Sequence, residues 1–211
     1  MKKIFIFIIA SLFSTMTFAD FENMDAWYIT HNSDTVKGIM IIPLDENGGI
    51  NFAKLQWRIS FIDTVGHYCR LHPDEISSFT IINGFEKIKY NSIRVGQDSY
   101  VFARLAINGY LNLYIFYKEI LEGGWIEGSY IKNYFLGYPT SAKQDYFILI
   151  KGNGEKTDVN WDTFNKKMPR FFYDYPELSK KIKSKNYKFT DIYRIVRDYN
   201  RWHREKESGE R

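Results

Sequence analysis

The chain has 211 residues, of which 45% are hydrophobic and 18% aromatic, enough apolar side chain for one sizeable core. Its single cysteine, Cys69, excludes an internal disulfide, so the core must stabilise the fold. The formal net charge of +4 is small, which argues against nucleic acid as a partner.

The charge is distributed unevenly along the chain. Residues 20–165 carry 13 basic and 18 acidic side chains, a net charge of −5, whereas residues 166–211 carry 14 basic and 7 acidic side chains, a net charge of +7. The C-terminal part is therefore the positive end of the protein. A cluster of lysines there is a candidate contact for an acidic partner or an anionic lipid surface, the alternative being a solvated helix face. The cluster consists of Lys180, Lys181, Lys183, Lys185 and Lys188.

Residues 1–19 predict a cleaved secretory signal peptide. Two lysines and the apolar run Ile4–Phe13 precede Thr17-Phe18-Ala19, which places small residues at the positions that a signal peptidase reads. The uncharged stretch is shorter than the roughly 20 apolar residues of a membrane-spanning helix, so an uncleaved anchor is less favoured. We expect an exported protein that begins at Asp20, is periplasmic or extracellular, and has no membrane span after cleavage. Because its cysteine lies far downstream, we do not expect an N-terminal lipoprotein.

The first half of the mature chain predicts strands joined by tight turns. Trp27–Thr30 and Thr35–Ile42 flank a polar turn and are typical of a hairpin. The run Ile50–Ile62 predicts one long strand, because apolar residues alternate with polar ones along much of it. The alternating apolar residues are Leu55, Trp57, Ile59 and Phe61.

A second hairpin is predicted around Asn108-Gly109, a pair that favours a type I′ turn with positive φ at both residues. Apolar residues at odd positions from Val101 to Tyr117 would form one face, and aromatic residues at even positions would cover the other. Further strands are expected at Trp125–Leu136 and Tyr146–Ile150, the second leading into a glycine-rich turn at residues 152–154.

After Thr157 the spacing of apolar residues changes to that of helices. One helical stripe is formed by Trp161, Phe164, Met168, Phe171 and Phe172. Asp174, Pro176 and Glu177 resemble a capping arrangement for a second helix, and Thr190 could cap a third. We therefore predict an α+β fold, with strands first and helices last. The strands would form an antiparallel sheet or roll of about eight to ten strands over residues 20–157. Two or three short helices would occupy residues 158–205, with a disordered tail at 206–211.

The ending of the chain resembles that of exported proteins of Bacteroidota-type bacteria. Those endings combine an aromatic-rich helix, a D-x-P-x-L step and a helix that closes on Tyr-Asn. The corresponding segments here are Phe171-Phe172-Tyr173, Asp174–Leu178 and Ile192–Asn200. The resemblance covers the signal and roughly the last 45 residues. It implies a location in the cell envelope and no particular activity or functional residues.

The stretch from His67 to Glu75 contains the densest set of reactive side chains. Cys69 could act as a nucleophile if the imidazole of His67, two residues away, served as its base. The alternative is a small buried hydrophobe. A metal site is disfavoured because, on one strand, His72 would point away from the other two, unless a turn intervenes.

The sequence contains no G-x-S-x-G, H-E-x-x-H or phosphate-cradling glycine loop. We therefore expect a non-catalytic envelope protein, without a cofactor, that binds or scaffolds an envelope protein, a glycan or an anionic lipid surface. One alternative is a carrier of a small apolar ligand in a curved sheet. Another is a small envelope hydrolase that uses His67 and Cys69.

Overall fold

The computed structural model describes residues 21–45, 47–95, 99–119 and 143–209. These residues form ten β-strands followed by three α-helices, which confirms the predicted α+β class. The strands are β1 (Phe21–Thr30), β2 (Thr35–Pro43), β3 (Ile59–Asp63), β4 (Tyr68–Leu71), β5 (Ile76–Asn83), β6 (Glu86–Val95), β7 (Ser99–Ile107), β8 (Leu111–Glu119), β9 (Lys143–Lys151) and β10 (Lys156–Val159). The helices are α1 (Phe164–Phe171), α2 (Pro176–Lys183) and α3 (Ile192–Glu207).

All ten strands belong to one sheet, in which every neighbouring pair is antiparallel. The strand order is β10-β9-β8-β7-β6-β5-β1-β2-β3-β4, so β1 lies inside the sheet between β2 and β5. The predicted first hairpin is present as β1 and β2, with Ile29 opposite Thr35. The predicted strand Trp125–Leu136 lies outside the described residues.

The predicted long strand Ile50–Ile62 is wrong. Lys54–Gln56 form a short 3₁₀ helix, and β3 begins only at Ile59. Leu55 and Gln56 are adjacent yet both buried, which a strand with one buried face does not allow. The alternating apolar residues do not form one face. Leu55 lies in the 3₁₀ helix and packs in the core of the first strands, whereas Trp57 follows that helix and packs against a different core.

The predicted type I′ turn at Asn108-Gly109 is also wrong, because neither residue has a positive φ. The glycine has a different function: a Cβ at Gly109 would lie 2.5 Å from Nδ2 of Asn200. A register shift between Leu105 and Ile107 also divides the predicted apolar face of this hairpin. The first half of β7 and the first half of β8 therefore turn their odd-numbered residues toward different cores.

The buried apolar residues of the described part of the chain form three clusters. The helical cluster joins one face of β8–β10 to the three helices, through residues such as Leu113, Leu149, Phe172 and Tyr199. A second cluster lies on the same face of the sheet, over β1–β3 and β5–β7, and a third lies on the opposite face of β6–β9. The helices thus cover only one end of the sheet.

The helical region differs from its prediction in its caps and its end. Asp174 does not cap α2, because its carboxylate binds Lys151 and Tyr199. Thr190 does not cap α3: Asp191 is the residue before the helix, and its Oδ2 accepts a hydrogen bond from the backbone N–H of Lys188 at the start of the preceding 3₁₀ turn. The predicted disordered tail 206–211 is wrong for its first residues, since α3 continues to Glu207.

Candidate functional site

An open groove of about 560 Å³ lies between α1 and α2. Three of its seven lining residues are basic and none is acidic. The lining residues are Pro169, Arg170, Tyr173, Pro176, Ser179, Lys180 and Lys183. All three basic side chains are exposed, and Tyr173 is 67% exposed. The groove therefore combines exposed positive charge with one exposed aromatic ring, a surface suited to an anionic partner.

The spacing of residues in α2 determines which lysines reach this groove. Lys180 and Lys183 are three residues apart and lie on the same side of the helix as Pro176. Leu178 and Ile182 lie on another side and are buried in the helical cluster. A short helix with a buried stripe thus presents two of its lysines toward α1.

The floor of the groove is fixed by buried contacts between the two helices. The hydroxyl of Ser179 donates a hydrogen bond to the carbonyl oxygen of Pro169 over 2.8 Å. Met168 and Leu178 are at most 2% exposed and belong to the same core cluster. Because these contacts hold α1 against α2, the basic side chains project from a rigid base.

Below the groove, the ammonium of Lys151 at the end of β9 is buried among acceptors. Its Nζ donates to Glu155 Oε2 (2.9 Å), to the carbonyl oxygen of Phe171 (2.7 Å) and to Asp174 Oδ1 (3.1 Å). The other carboxylate oxygen of Asp174 accepts a 2.5 Å hydrogen bond from the hydroxyl of Tyr199. Burial and the adjacent Asp174 carboxylate raise the pKa of Tyr199, so its hydroxyl remains a donor.

This network ties the end of the sheet to α1, to α3 and to the connection between α1 and α2. Lys151 belongs to β9, Phe171 ends α1, Asp174 lies between α1 and α2, and Tyr199 belongs to α3. A cation at the last carbonyls of α1 also complements the negative end of that helix dipole. All the donors of the ammonium are used inside the protein, so Lys151 positions the groove and does not contact a ligand there.

The structure brings together two of the five predicted lysines, Lys180 and Lys183. The remaining three are exposed but do not line the groove. Sequence reasoning missed Arg170 and Tyr173, which α1 and the residues after it supply. Only Tyr173 could have been found from its position: it directly follows the apolar stripe of the first helix, and its ring is exposed and does not belong to the core.

The hydrolase candidates lie at the other end of the sheet, in β4 and the turn before it. Cys69 is half-buried, and burial together with the carboxylates of Asp63 and Glu75 raises the pKa of its thiol. The ring of His67 faces Asp63 instead, with Nδ1 3.4 Å from Oδ2, and is largely exposed. A reactive cysteine needs nearby positive charge that lowers the pKa of its thiol. The setting of Cys69 therefore favours a structural role, in which its side chain packs against the core of the first strands.

His31 and Asp74 are used in a structural contact near the same turns. Nε2 of His31 lies 2.8 Å from the carbonyl oxygen of Asp74, and its Nδ1 lies 3.2 Å from the hydroxyl of Ser77. Within the described residues, no group of three or more His, Cys, Asp or Glu side chains could hold a metal ion.

Comparison with protein-family models, with curated proteins and with solved structures finds no match to this chain. Across residues 21–45, 47–95, 99–119 and 143–209, no helix is both long and apolar enough to cross a bilayer. The interpretation of function therefore depends on the side chains themselves, and the α1–α2 groove is the strongest candidate.

Proposed function

We propose that this protein is exported to the cell envelope, where it binds an anionic phospholipid surface without catalysing a reaction. The observation that carries the proposal is the groove between α1 and α2, which Arg170, Lys180 and Lys183 line together with the exposed ring of Tyr173. The export part of the proposal depends on the signal-like residues 1–19.

The chemistry of the groove fits lipid headgroups better than a glycan or a single protein partner. Lysine and arginine extend their charged ends to phosphate groups, and tyrosine has an apolar ring with a polar end that suits the membrane interface. Near an anionic surface each basic side chain contributes about 1 kcal/mol. The groove alone would then contribute about 3 kcal/mol. Basic residues elsewhere in the positive C-terminal part add a weaker, more screened attraction.

The proposal is tested by co-sedimentation of the purified protein with lipid vesicles. We expect binding to vesicles containing phosphatidylglycerol, little binding to pure phosphatidylcholine, and loss of binding as the salt concentration rises. The triple variant Arg170→Gln/Lys180→Gln/Lys183→Gln should bind roughly 100-fold more weakly.

A matched control removes the same charge from exposed positions in the strand region. Lys37→Gln/Lys54→Gln/Lys89→Gln changes three exposed lysines and should retain most of the binding. Equal loss in the two triple variants would show that only net charge matters and would contradict a groove-specific site. Failure of the unaltered protein to bind anionic vesicles would contradict the proposed function itself. If it then binds an acidic protein through the same three residues, the partner class is wrong.

A further inference from the structure

A separate polar group lies on the sheet face where the helical cluster meets the cluster of the first strands. Tyr90 in β6 and Arg104 in β7 are directly opposite each other in the strand register. Side chains paired in this way have Cβ atoms about 4.5–5.5 Å apart and point to the same face. Tyr117 of β8 lies near enough to affect the ionisation of Tyr90. These residues therefore form one polar cluster between two apolar ones.

The hydroxyl of Tyr90 is buried and has no hydrogen-bond partner among the described residues. The ring itself is 0% exposed and stacks on Phe79, with 4.6 Å between ring centroids. Burial raises the pKa of this hydroxyl, and the neighbouring Arg104 guanidinium opposes part of that rise. Tyr90 is therefore a protonated donor inside the protein, and buried donors are normally paired.

Arg104 has the same deficiency. Its Nε–H is buried and has no partner among the residues that the structure describes. The guanidinium carbon lies 4.7 Å from the centre of the Phe52 ring, which covers one face of the group. No ion pair joins Arg104 to a carboxylate among the side chains described. A half-buried positive charge in this position therefore has no counter-charge from the described part of the chain.

The amide of Gln56, which binds the backbone of Tyr117, does not supply the missing acceptor. Gln56 donates from Nε2 to the carbonyl oxygen of Tyr117 over 2.9 Å, and its own oxygen accepts from the backbone N–H of Tyr117. Both ends of this side chain are thus used. Among the described residues, the Tyr90 hydroxyl and the Arg104 Nε–H are two buried donors without an acceptor, so the occupant that suits them is a hydrogen-bond acceptor that carries negative charge.

We propose that Arg104 and Tyr90 form a binding site for a small carboxylate, which the guanidinium and the phenol hydroxyl hold by donating to its oxygens. A planar guanidinium matches the two oxygens of a carboxylate, and the neighbouring rings of Phe52 and Phe79 favour a small organic anion over a heavily hydrated one. The site is distinct from the α1–α2 groove and does not depend on the function proposed for it.

The test is a titration of the purified protein with acetate, followed by the ¹H–¹⁵N NMR signal of the Arg104 Nε–H group. Chloride at the same ionic strength serves as the reference. We expect a saturable shift of the Arg104 signal with acetate and none with chloride. Tyr90→Phe should weaken acetate binding about tenfold, because a hydrogen bond to a charged group is lost.

Two further variants keep the test decisive. Tyr114→Phe alters a buried tyrosine in the cluster on the opposite face of the sheet and should leave the acetate affinity unchanged. Arg104→Lys retains the positive charge but lacks the planar guanidinium that can donate to both carboxylate oxygens, so it should also weaken binding. The proposal is overturned if the shift does not saturate, if chloride or phosphate alone reproduces it, or if Tyr90→Phe binds acetate as tightly as the unaltered protein. In those cases water satisfies the two donors.

Discussion

At the end of β9, the ammonium of Lys151 is 1% exposed and donates to three acceptors from three segments of the chain. The carboxylates of Glu155 and Asp174 retain some solvent contact, with side chains 32% and 28% exposed. The charge at the centre of this network is therefore buried, and its counter-charges are partly solvated. These contacts stabilise the fold mainly because they keep the buried ammonium of Lys151 from being left without a partner.

Lys151→Met should lower the free energy of unfolding by about 2–3 kcal/mol, measured by urea denaturation. The value is below that of a fully buried ion pair because water can reach both carboxylates after the change. Lys166→Met, an exposed position on α1, is the matched control and should change stability by less than about 0.5 kcal/mol. Equal stability of the two variants would mean that Lys151 does not anchor the helices.

Tyr90→Phe should change the pH dependence of stability. The folded protein raises the pKa of this hydroxyl above its ordinary value of 10.0, so only the unfolded chain ionises readily. Stability that is present below pH 10 is therefore lost progressively as the pH rises above it. At neutral pH and without ligand, the variant should lie within about 1 kcal/mol of the unaltered protein, because its hydroxyl has no partner to lose.

The measurement is the urea midpoint at neutral pH and above pH 10. In the alkaline range the variant should lose less stability than the unaltered protein, whereas Tyr100→Phe, at an exposed ring, should follow the unaltered protein. A parallel decline in all three proteins would contradict the account of Tyr90.

For single residues, the sequence predicted which side chains are charged and exposed better than it predicted which side chains hold the fold together. The lysines of α2 were recognisable because they are clustered, and two of them line the groove. Lys151 was not, since its acceptors at Glu155, Phe171 and Asp174 are brought together only by the packing of α1 on the sheet. A buried charge whose partners lie up to 23 residues away has no local signature.

Among the elements, β8 is held at both ends by side-chain amides that imitate a neighbouring strand. Asn200 of α3 accepts from the backbone N–H of Leu111 over 2.7 Å and donates to its carbonyl oxygen over 2.9 Å. Gln56 makes the equivalent pair of hydrogen bonds with Tyr117. These contacts satisfy backbone groups of β8 where β7 does not pair with it. They also fix α3 and the 3₁₀ helix relative to the sheet.

Gly109→Ala should destabilise the protein through Asn200. A Cβ at position 109 would lie 2.5 Å from Nδ2 and 2.7 Å from Cγ of that side chain, so the amide must move and its hydrogen bonds weaken. We expect a loss of about 1–3 kcal/mol in unfolding free energy. In an Asn200→Ala background the additional loss should fall below about 0.5 kcal/mol.

The control for this cycle is Gly154→Ala. Gly154 has a φ of +86° and no heavy atom within 4 Å of an added Cβ, so its cost comes from the backbone alone. That cost should be equal with and without Asn200. Additive losses for Gly109→Ala and Asn200→Ala would show that the close approach does not couple the turn to α3.

Element types were predictable where one local pattern dominated. The hairpin of β1 and β2 and the change to helical spacing after residue 157 follow from periodicity. The strand predicted over Ile50–Ile62 was wrong because the alternation of its apolar residues was fortuitous. Gln56 looked like a residue of the polar face, and its burial follows from its hydrogen bonds to Tyr117, which the sequence does not reveal. The glycine of Asn108-Gly109 signalled a turn, but the reason for it lies 91 residues away in Asn200.

Across the whole molecule, the division between strands and helices coincides with the division between negative and positive net charge. The helical C-terminal part carries the net positive charge, and the preceding strand-forming part carries the net negative charge. The sheet supports the helices on one face at one end only. A protein built in this way can present its positive end to an anionic surface and keep its acidic strands away from it.

The α+β class and the positive end of the chain were predictable from the sequence, because both are sums over many residues. The groove was not, since it exists only where α1 and α2 meet. Arg170 comes from α1, Tyr173 from the residues just after it, and Lys180 and Lys183 from α2. Their common position depends on the buried contact of Ser179 with Pro169, which no pattern in the sequence specifies.

The most direct test of the account asks which end of the molecule meets an anionic membrane. In a Cys69→Ser background, an environment-sensitive fluorophore would be attached at Tyr173→Cys in the groove, or at Phe85→Cys in the fully exposed turn between β5 and β6. We expect vesicles containing phosphatidylglycerol to shift the emission of the label at position 173 to shorter wavelength and to leave the emission of the label at position 85 unchanged. A shift at position 85 alone, equal shifts at both positions, or bound protein with no shift at position 173 would contradict it.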